Sequence, residues 1–144
     1  MIRLARELAL CFLIAFGATA AIAQSPAPEL PKEKQTRLGK YLTPKEAADT
    51  LKTDGGKRLF VDIRTRGEVQ FVGFPAGIDA HVPYAEMNEF GEWDAKAARY
   101  KVDLNSNFGR DIAVALTRKK LNKTDRVVLI CRSGDRSARA VNLL

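Results

Sequence analysis

Seven residues near the end of the chain have the types and spacing of a site for anion chemistry. They read CRSGDRS, from Cys131 to Ser137. The thiolate of a cysteine is the reactive nucleophile, whereas a free thiol is mostly protonated at neutral pH. Two guanidinium groups, on Arg132 and Arg136, and backbone N–H groups that Gly134 allows to converge would favour the thiolate of Cys131. The segment predicts a reactive, accessible cysteine, and a buried structural cysteine is the alternative.

The elements on either side of this loop would place Cys131 where α/β proteins bind ligands. Four branched apolar residues, Val127 to Ile130, predict a strand that is covered on both faces in a parallel sheet. A helix is predicted to begin at Ser137. Ligands of open α/β sheets bind beyond the carboxyl ends of the strands, and the N-terminus of a helix favours negative charge there. We therefore expect the loop to hold an anion.

The CRSGDRS loop, between a hydrophobic strand and a helix, resembles the active-site loop of rhodanese-like sulfurtransferases. A second segment, LFVDIRTRGE from Leu59 to Glu68, is similar to that family's strand-ending Asp-x-Arg, which is followed shortly by Glu. The two segments have the family's order and about its spacing. The resemblance implies that Cys131 is catalytic and that Asp62 and Arg64 support the active-site region through hydrogen bonds and ion pairing. The loop that would bind the substrate and the persulfide comprises Arg132, Ser133, Gly134, Asp135, Arg136 and Ser137.

The resemblance also implies a two-step sulfur relay that needs no metal and no organic cofactor. The thiolate of Cys131 would attack the outer sulfur of a small anionic donor, such as thiosulfate or a persulfide. Cyanide or a thiol would then accept the sulfur from the Cys131 persulfide. Ser133 and Ser137 could donate hydrogen bonds to the terminal anion. In the cell, a periplasmic redox protein or sulfur carrier could be the partner.

Two other functions are compatible with the same residues. One is a rhodanese-like binding module that docks a redox or sulfur-carrier partner and turns over poorly. The other is a cysteine phosphatase or arsenate reductase, which would need an arginine six residues after the cysteine to grip the oxyanion. That position is Ser137 in this chain, and Arg136 comes one residue early.

Alternating strands and helices predict an α/β fold, rhodanese-like, with a mostly parallel central sheet flanked by helices. The first helix should be capped by Thr43, with Pro44 at its first position and Glu46 completing a capping box, and Gly55-Gly56 should end it. A strand is predicted from Leu59 to Ile63. The rhodanese-like family normally adds a helix and a strand after the active-site loop, so the domain is expected to be incomplete at its C-terminus.

The segment between the two motifs carries weaker signals. Residues 86–105 have little periodicity and predict an irregular insertion with one helical turn, in which Phe90 or Trp93 could line a substrate crevice. From Ser106 a helix is predicted, and its apolar face is formed by Phe108, Ile112, Ala115 and Leu116. His81 is interpreted as a surface or hydrogen-bonded structural histidine rather than a catalytic base, and no metal site is expected with one histidine.

The first residues have the pattern of a secretory signal peptide, residues 1–23. A basic start, an apolar run and Ala21-Ile22-Ala23 before Gln24 follow the order of such a signal. Its removal would leave Cys131 as the sole cysteine and no stable membrane anchor, in a periplasmic or secreted protein. Residues 24–40, which are rich in proline, predict an extended linker, and residues 41–144 form the predicted domain.

Composition and charge limit the remaining possibilities. The 144 residues suit one domain, and 46% hydrophobic residues exclude a disordered chain. The net charge of +7 raises the question of nucleic-acid binding. The basic residues are scattered, however, and no nucleic-acid-binding motif accompanies them, so no nucleic-acid partner is expected. We interpret the charge as a solvated surface that could also attract anionic substrates.

Overall fold

A three-stranded parallel sheet lies at the centre of the structure. Its middle strand, β1 (Arg58–Asp62), is flanked by β2 (Ala80–His81) and β7 (Arg126–Ile130). The structure, a computed structural model, describes residues 29–144. The predicted α/β fold with a mostly parallel central sheet is confirmed in these residues, and the strand predicted from Leu59 begins one residue earlier.

The two long strands of this sheet differ in burial. All five residues of β1 are buried, as expected for a strand with a neighbour on each side. The prediction that Val127 to Ile130 are covered on both faces is wrong, because each of these residues is only partly buried. Within residues 29–144, β7 pairs with β1 alone, so one of its edges has no strand beside it.

Capping boxes begin the first two helices. Thr43 accepts a hydrogen bond from the backbone N–H of Glu46, whose carboxylate accepts one from the N–H of Thr43, which confirms the predicted start of α1. Thr65 and Glu68 form the same reciprocal pair at the start of the second helix. Residues 29–144 contain four α-helices, which are α1 (Pro44–Thr53), α2 (Arg66–Val72), α3 (Phe108–Arg118) and α4 (Asp135–Leu143).

The hydrophobic core forms between β1 and α3. The apolar face predicted for α3 is confirmed, since Phe108, Ile112, Ala115 and Leu116 are its buried residues. Leu59, Val61 and Ile63 contribute the core residues of the central strand and its C-terminal extension. Burial of these large apolar side chains supplies most of the stability that holds the sheet in place. The sheet in turn fixes the position at which β7 ends.

Residues 85–104 form a protruding pair of short antiparallel ladders, which we call the arm. The prediction of an irregular insertion with a helical turn is wrong here. Met87 lies opposite Val102 in the inner ladder, and Trp93 lies opposite Tyr100 in the outer one. The strands of the arm are β3 (Ala85–Met87), β4 (Trp93–Asp94), β5 (Arg99–Tyr100) and β6 (Val102–Leu104).

The segment before α1 lies against the end of the chain. Lys32–Lys34 form one turn of 3₁₀ helix, and the residues that follow bond to Asn142 of α4. The extended conformation predicted for residues 24–40 therefore does not hold at this turn. The predicted signal peptide lies outside the described residues. None of the helices between residues 29 and 144 is long and apolar enough to span a bilayer.

Candidate active site

Cys131 lies where the predicted strand ends and the sheet gives way to a helix. It follows Ile130, the last residue of β7, whose partner in β1 is Asp62. The helix α4 begins at Asp135, two residues before the predicted start at Ser137. Asp135, Arg136 and Ser137, which were predicted as loop residues, therefore belong to the first turn of α4.

Gly134 caps this helix in a conformation that favours glycine. Its φ of 96° lies in the left-handed region, where a side chain would be strained. Its carbonyl accepts the N–H of Ala138 at 3.0 Å, which closes the first turn. The loop from Cys131 to Gly134 brings the N–H of Gly134 back towards the sulfur. The sequence predicted that Gly134 lets several backbone N–H groups converge, and of these the structure places the N–H of Gly134 at hydrogen-bond distance from Sγ.

In the described part of the chain, two hydrogen bonds involve the sulfur of Cys131, which is only partly buried. The N–H of Gly134 donates a hydrogen bond to Sγ at 3.2 Å. The Oγ of Ser137 lies 3.4 Å from Sγ and donates its own hydrogen to the carbonyl of Gly134 at 3.0 Å. In this arrangement the thiol donates to Ser137. A rotation of the hydroxyl would let Ser137 donate to a sulfur anion instead.

Arg136 does not point freely into the loop. Its Nη1 and Nη2 donate hydrogen bonds of 2.7 Å to the two carboxylate oxygens of Glu68. Glu68 also accepts the backbone N–H of Thr65 at 2.9 Å. The sequence predicted Arg136 as a fixed cation and named no partner for it; a planar guanidinium and a carboxylate form two parallel bonds and hold each other in place.

The pair between Glu68 and Arg136 fixes the charge state of both groups. The hydrogen bonds from Arg136 lower the pKa of Glu68 from 4.5 to about 2, against the opposing effect of partial burial. The hydrogen bonds to Glu68 raise the pKa of Arg136, and the negative charges of Glu68 and of a Cys131 thiolate raise it further. Arg136 therefore remains a cation close to the sulfur while it braces α4 against α2.

The other loop side chains take different positions. The hydroxyl of Ser133 donates to Asp135 at 2.6 Å, and this bond is the main cause that lowers the pKa of Asp135. Ser133 is thus engaged away from the sulfur, in contrast to its predicted role beside Ser137. The side chain of Arg132 is exposed. Of the two predicted hydroxyl donors, the structure brings only Ser137 to Cys131.

Asp62 and Arg64 form a buried ion pair beside the loop. Asp62 is fully buried at the end of β1, and its carboxylate accepts hydrogen bonds of 2.6 to 3.0 Å from Nε, Nη2 and the backbone N–H of Arg64. Hydrogen bonding to Asp62 raises the pKa of Arg64. Nη2 of Arg64 also donates to the carbonyl of Gly73 at 2.7 Å. These contacts tie the chain after β1 to the end of α2.

His81 belongs to the same supporting layer. Its Nε2 lies 2.8 Å from the carbonyl oxygen of Arg64, and its ring packs edge-on against Phe74 with centroids 5.3 Å apart. A hydrogen-bonded structural histidine was the favoured interpretation of the sequence, and the contacts agree with it. Between residues 29 and 144, His, Cys, Asp and Glu side chains form no group of three that could hold a metal ion.

Glu68 is the site residue to which the sequence assigned no role of its own. Its local signal was present, since Thr65 and Glu68 have the spacing of a capping box. That pattern predicts the contact with Thr65 but not the contact with Arg136. The partner is 68 residues away along the chain, and only the parallel pairing of β1 with β7 brings the two helices together.

An open groove of about 880 Å³ lies between β2, the base of the arm and α3. None of the residues from Cys131 to Ser137 lines it. Phe90 and Trp93, which were expected to line a crevice, do not line this groove either, and Phe90 is 85% exposed. The active-site loop and this groove are therefore separate features.

No model of a known protein family matches this chain, and no curated protein matches it.

Proposed function

We propose that this protein is a rhodanese-like sulfurtransferase that carries sulfane sulfur as a persulfide on Cys131. The observation that carries the proposal is the hydrogen bond of 3.2 Å from the N–H of Gly134 to Sγ. It places a reactive atom at the carboxyl end of a parallel strand and at the first turn of a helix, where negative charge is stabilised. The CRSGDRS segment resembles the active-site loop of the rhodanese-like family, and the geometry supports an anionic sulfur at this position.

In the first step the thiolate of Cys131 attacks the outer sulfur of thiosulfate or of a related donor. A new S–S bond forms on Cys131, the S–S bond of thiosulfate breaks, and sulfite leaves with the electron pair. In the second step cyanide or a thiolate attacks the terminal sulfur. The S–S bond on Cys131 then breaks, and the Cys131 thiolate is regenerated.

The residues around Sγ have distinct parts in these steps. The N–H of Gly134 and the rotated hydroxyl of Ser137 stabilise the negative charge on sulfur. Arg136 contributes its positive charge from the pair with Glu68. Asp62 and Arg64 hold the neighbouring strand end and do not react. Arg132, which is exposed, remains free to meet an incoming anion.

The decisive experiment is mass spectrometry of the protein before and after thiosulfate, followed by cyanide. We expect a gain of one sulfur atom that maps to the peptide containing Cys131 and disappears with cyanide. Cys131→Ser should gain no sulfur there. Peptide mapping separates Cys131 from Cys11, the only other cysteine in the sequence. Failure of thiosulfate and of a persulfide donor to add sulfur to Cys131 would overturn the proposal.

A weakly active binding module is the second candidate. It is favoured by the arm, which exposes half or more of Phe90, Trp93 and Tyr100 to solvent. Exposed aromatic side chains of this kind are common where proteins meet partners. In that case a periplasmic redox protein or sulfur carrier would bind, and turnover with thiosulfate would be slow. The same mass spectrometry separates the candidates, because a binding module need not form the persulfide.

The contacts of Arg136 weaken the case for a phosphatase or arsenate reductase. Such an enzyme grips a tetrahedral oxyanion with two nitrogens of an arginine. Here both terminal nitrogens of Arg136 are bonded to Glu68 at 2.7 Å.

For the cellular setting, we propose export to the periplasm or beyond on the basis of the signal pattern in residues 1–23.

A further inference from the structure

We propose that Lys34 is a specificity-determining residue, which draws anionic sulfur donors to Cys131 from outside the active-site loop. The identity of the anion rests on the proposed function, whereas the placement of the cation does not. Lys34 belongs to the segment Pro31–Arg37, which we call the strap. Lys34 lies 97 residues before Cys131 in the sequence, yet its side chain reaches Gly134 at the start of α4.

The position of the Lys34 side chain is defined relative to Gly134. A Cβ atom built on Gly134 would lie 3.7 Å from Cδ of Lys34, which is ordinary van der Waals contact. Gly134 is also the residue whose N–H bonds to the sulfur. The aliphatic part of Lys34 therefore runs beside the loop, and its ammonium group, two bonds beyond Cδ, stays close to the residue that bonds to the sulfur.

Burial distinguishes Lys34 from its neighbours. Lys34 is partly buried, whereas Lys32, Glu33 and Gln35 are exposed. A lysine on a free linker would extend into water, since its ammonium is strongly hydrated and its side chain gains rotamer freedom there. Partial burial is what is expected when the methylene groups of a lysine pack on the protein and its charged end stays in water.

Asn142 on α4 holds the strap in this position. Its Oδ1 accepts the backbone N–H of Arg37 at 2.8 Å, and its Nδ2 donates to the carbonyl of Gln35 at 3.2 Å. The guanidinium of Arg37 also bonds to the carbonyl of Asn142. These hydrogen bonds between Asn142 and the residues Gln35 and Arg37 hold the backbone directly after Lys34. The helix α4, which also contains Arg136 and Ser137, thus positions Lys34 beside the loop.

The charge of Lys34 has no acidic partner among residues 29–144, since no carboxylate lies within 4.0 Å of its ammonium. Arg136, in contrast, is neutralised in part by Glu68. A small dianion that approaches Cys131 would gain from an unpaired cation at the entrance. Because the ammonium does not contact the reacting sulfur, its effect should fall on capture of the donor rather than on the chemical step.

The test compares two reagents that alkylate the same cysteine and differ in charge, iodoacetate and neutral iodoacetamide. Their rates at Cys131 are measured on the full chain by peptide mass spectrometry. Lys34→Ala should slow iodoacetate by about two- to five-fold and leave iodoacetamide unchanged, as expected for loss of one cation at the distance of a solvated side chain. Lys34→Glu should slow iodoacetate further, and Lys34→Arg should retain the wild-type ratio.

Two further variants test the placement. Lys32→Ala, in the same turn but exposed, is the matched control and should keep the wild-type ratio. Asn142→Ala, which releases the strap, should lower the ratio although Lys34 is still present. An unchanged ratio in Lys34→Ala, or an equal loss in Lys32→Ala, would overturn the inference.

Thiosulfate separates this inference from the proposed function. If wild-type protein forms the persulfide, Lys34→Ala should raise the KM for thiosulfate by about the same factor and change kcat little. If wild-type protein forms no persulfide but Lys34→Ala still lowers the ratio of the iodoacetate rate to the iodoacetamide rate, the proposed function fails. The inference that Lys34 attracts anions to Cys131 is then still supported. A loss confined to kcat, with an unchanged alkylation ratio, would assign Lys34 a different role and refute the inference.

Discussion

At the scale of single residues, the groups that contact the sulfur of Cys131 differ from those that hold these groups in place. Gly134 and Ser137 form hydrogen bonds with Sγ, whereas Glu68 forms hydrogen bonds with Arg136 and with the cap of its own helix. A residue in contact with sulfur should affect each step in which charge develops there. A residue that only holds one of these groups in place should affect the reaction through the position of that group. Its replacement should therefore also lower the stability of the fold.

The two serines of the loop provide a matched pair for this distinction. Ser137→Ala should slow sulfur transfer by about 3- to 10-fold, because it removes a hydroxyl 3.4 Å from Sγ that can donate to a sulfur anion. Ser133→Ala removes a bond to Asp135 and should have a smaller effect. Steady-state rates with thiosulfate and cyanide measure both. Equal losses in the two variants would show that proximity to Sγ is not what matters.

Replacement of Arg136 should affect both reactivity and folding. Arg136→Ala removes a cation close to Sγ, so alkylation of Cys131 by iodoacetamide at neutral pH should slow by several-fold. It also leaves the carboxylate of Glu68 without its partner, which should lower the free energy of unfolding by about 1–3 kcal/mol. Arg132→Ala, at an exposed position, should leave the free energy of unfolding within about 0.5 kcal/mol of wild type. Unchanged alkylation of Arg136→Ala across the pH range would refute activation of the cysteine by this arginine.

At the scale of elements, the pair between Glu68 and Arg136 connects the first turn of α2 to the first turn of α4. The pKa of Glu68 is lowered to about 2 in the folded protein, from 4.5. A lowered pKa means that the ionised group stabilises the fold above pH 4.5 and that this contribution disappears as the pH falls towards about 2. With allowance for the partly exposed carboxylate, the contribution is about 2 kcal/mol.

Glu68→Gln tests that contribution. The variant should be less stable than wild type at neutral pH by about 2 kcal/mol, and the difference should shrink between pH 4.5 and about 2. Urea unfolding at a series of pH values measures it. Glu46→Gln is a useful comparison, since Glu46 forms the same capping box on α1 without an arginine partner. If both variants lose stability equally, the helix cap and not Arg136 accounts for the effect.

The glycine that caps α4 supplies another test at this scale. Gly134→Ala should lower the free energy of unfolding by about 1–2 kcal/mol, because its φ of 96° strains any residue with a Cβ. Space is not the problem, since the nearest atom would be 3.7 Å away. Gly109→Ala is the control, because Gly109 is helical and a Cβ added to it would meet no atom within 4 Å. This variant should be more stable than wild type by up to about 1 kcal/mol. Equal effects would refute the conformational argument.

Elements with strong local signals were predictable from the sequence. The capping box of Thr43 and Glu46 and the apolar face of α3 depend on residues three or four positions apart, and both are confirmed. The position of Cys131 after a strand followed from the apolar run before it. The start of α4 was missed by two residues because Gly134, rather than a side chain with a hydroxyl or a carboxylate, occupies the cap.

Features that depend on distant residues could not be predicted in this way. The arm contains strands of two or three residues, which are too short to show a period. The alternation of charged and apolar residues from Arg99 to Leu104 was its strongest local signal. The contacts of Arg136 with Glu68 and of Lys34 with Gly134 join parts of the chain that are far apart in sequence. They require the tertiary structure, and both change the predicted electrostatics of the loop.

At the scale of the whole molecule, the chain carries a net positive charge, and its site is proposed to receive anions. The net charge of the chain is +7, and residues 1–23 contribute only Arg3, Arg6 and Glu7, so most of it lies in the rest of the protein. Around the loop, the carboxylates of Glu68 and Asp135 are bonded to Arg136 and Ser133. The long-range field should therefore attract anionic donors before any specific contact forms.

Salt should weaken this attraction in a way that distinguishes long-range steering from local contacts. Raising the ionic strength from about 0.01 M to about 0.15 M shortens the Debye length from about 30 Å to about 8 Å. The rate of Cys131 with iodoacetate should then fall by several-fold, while the rate with iodoacetamide stays constant. Lys34 would account for part of the electrostatic field at the entrance. The iodoacetate rate of Lys34→Ala should therefore depend less on salt than that of Lys32→Ala. Both variants alter the net charge equally. Identical salt dependence in these two variants would mean that net charge, and not the position of Lys34, governs the approach of the anion.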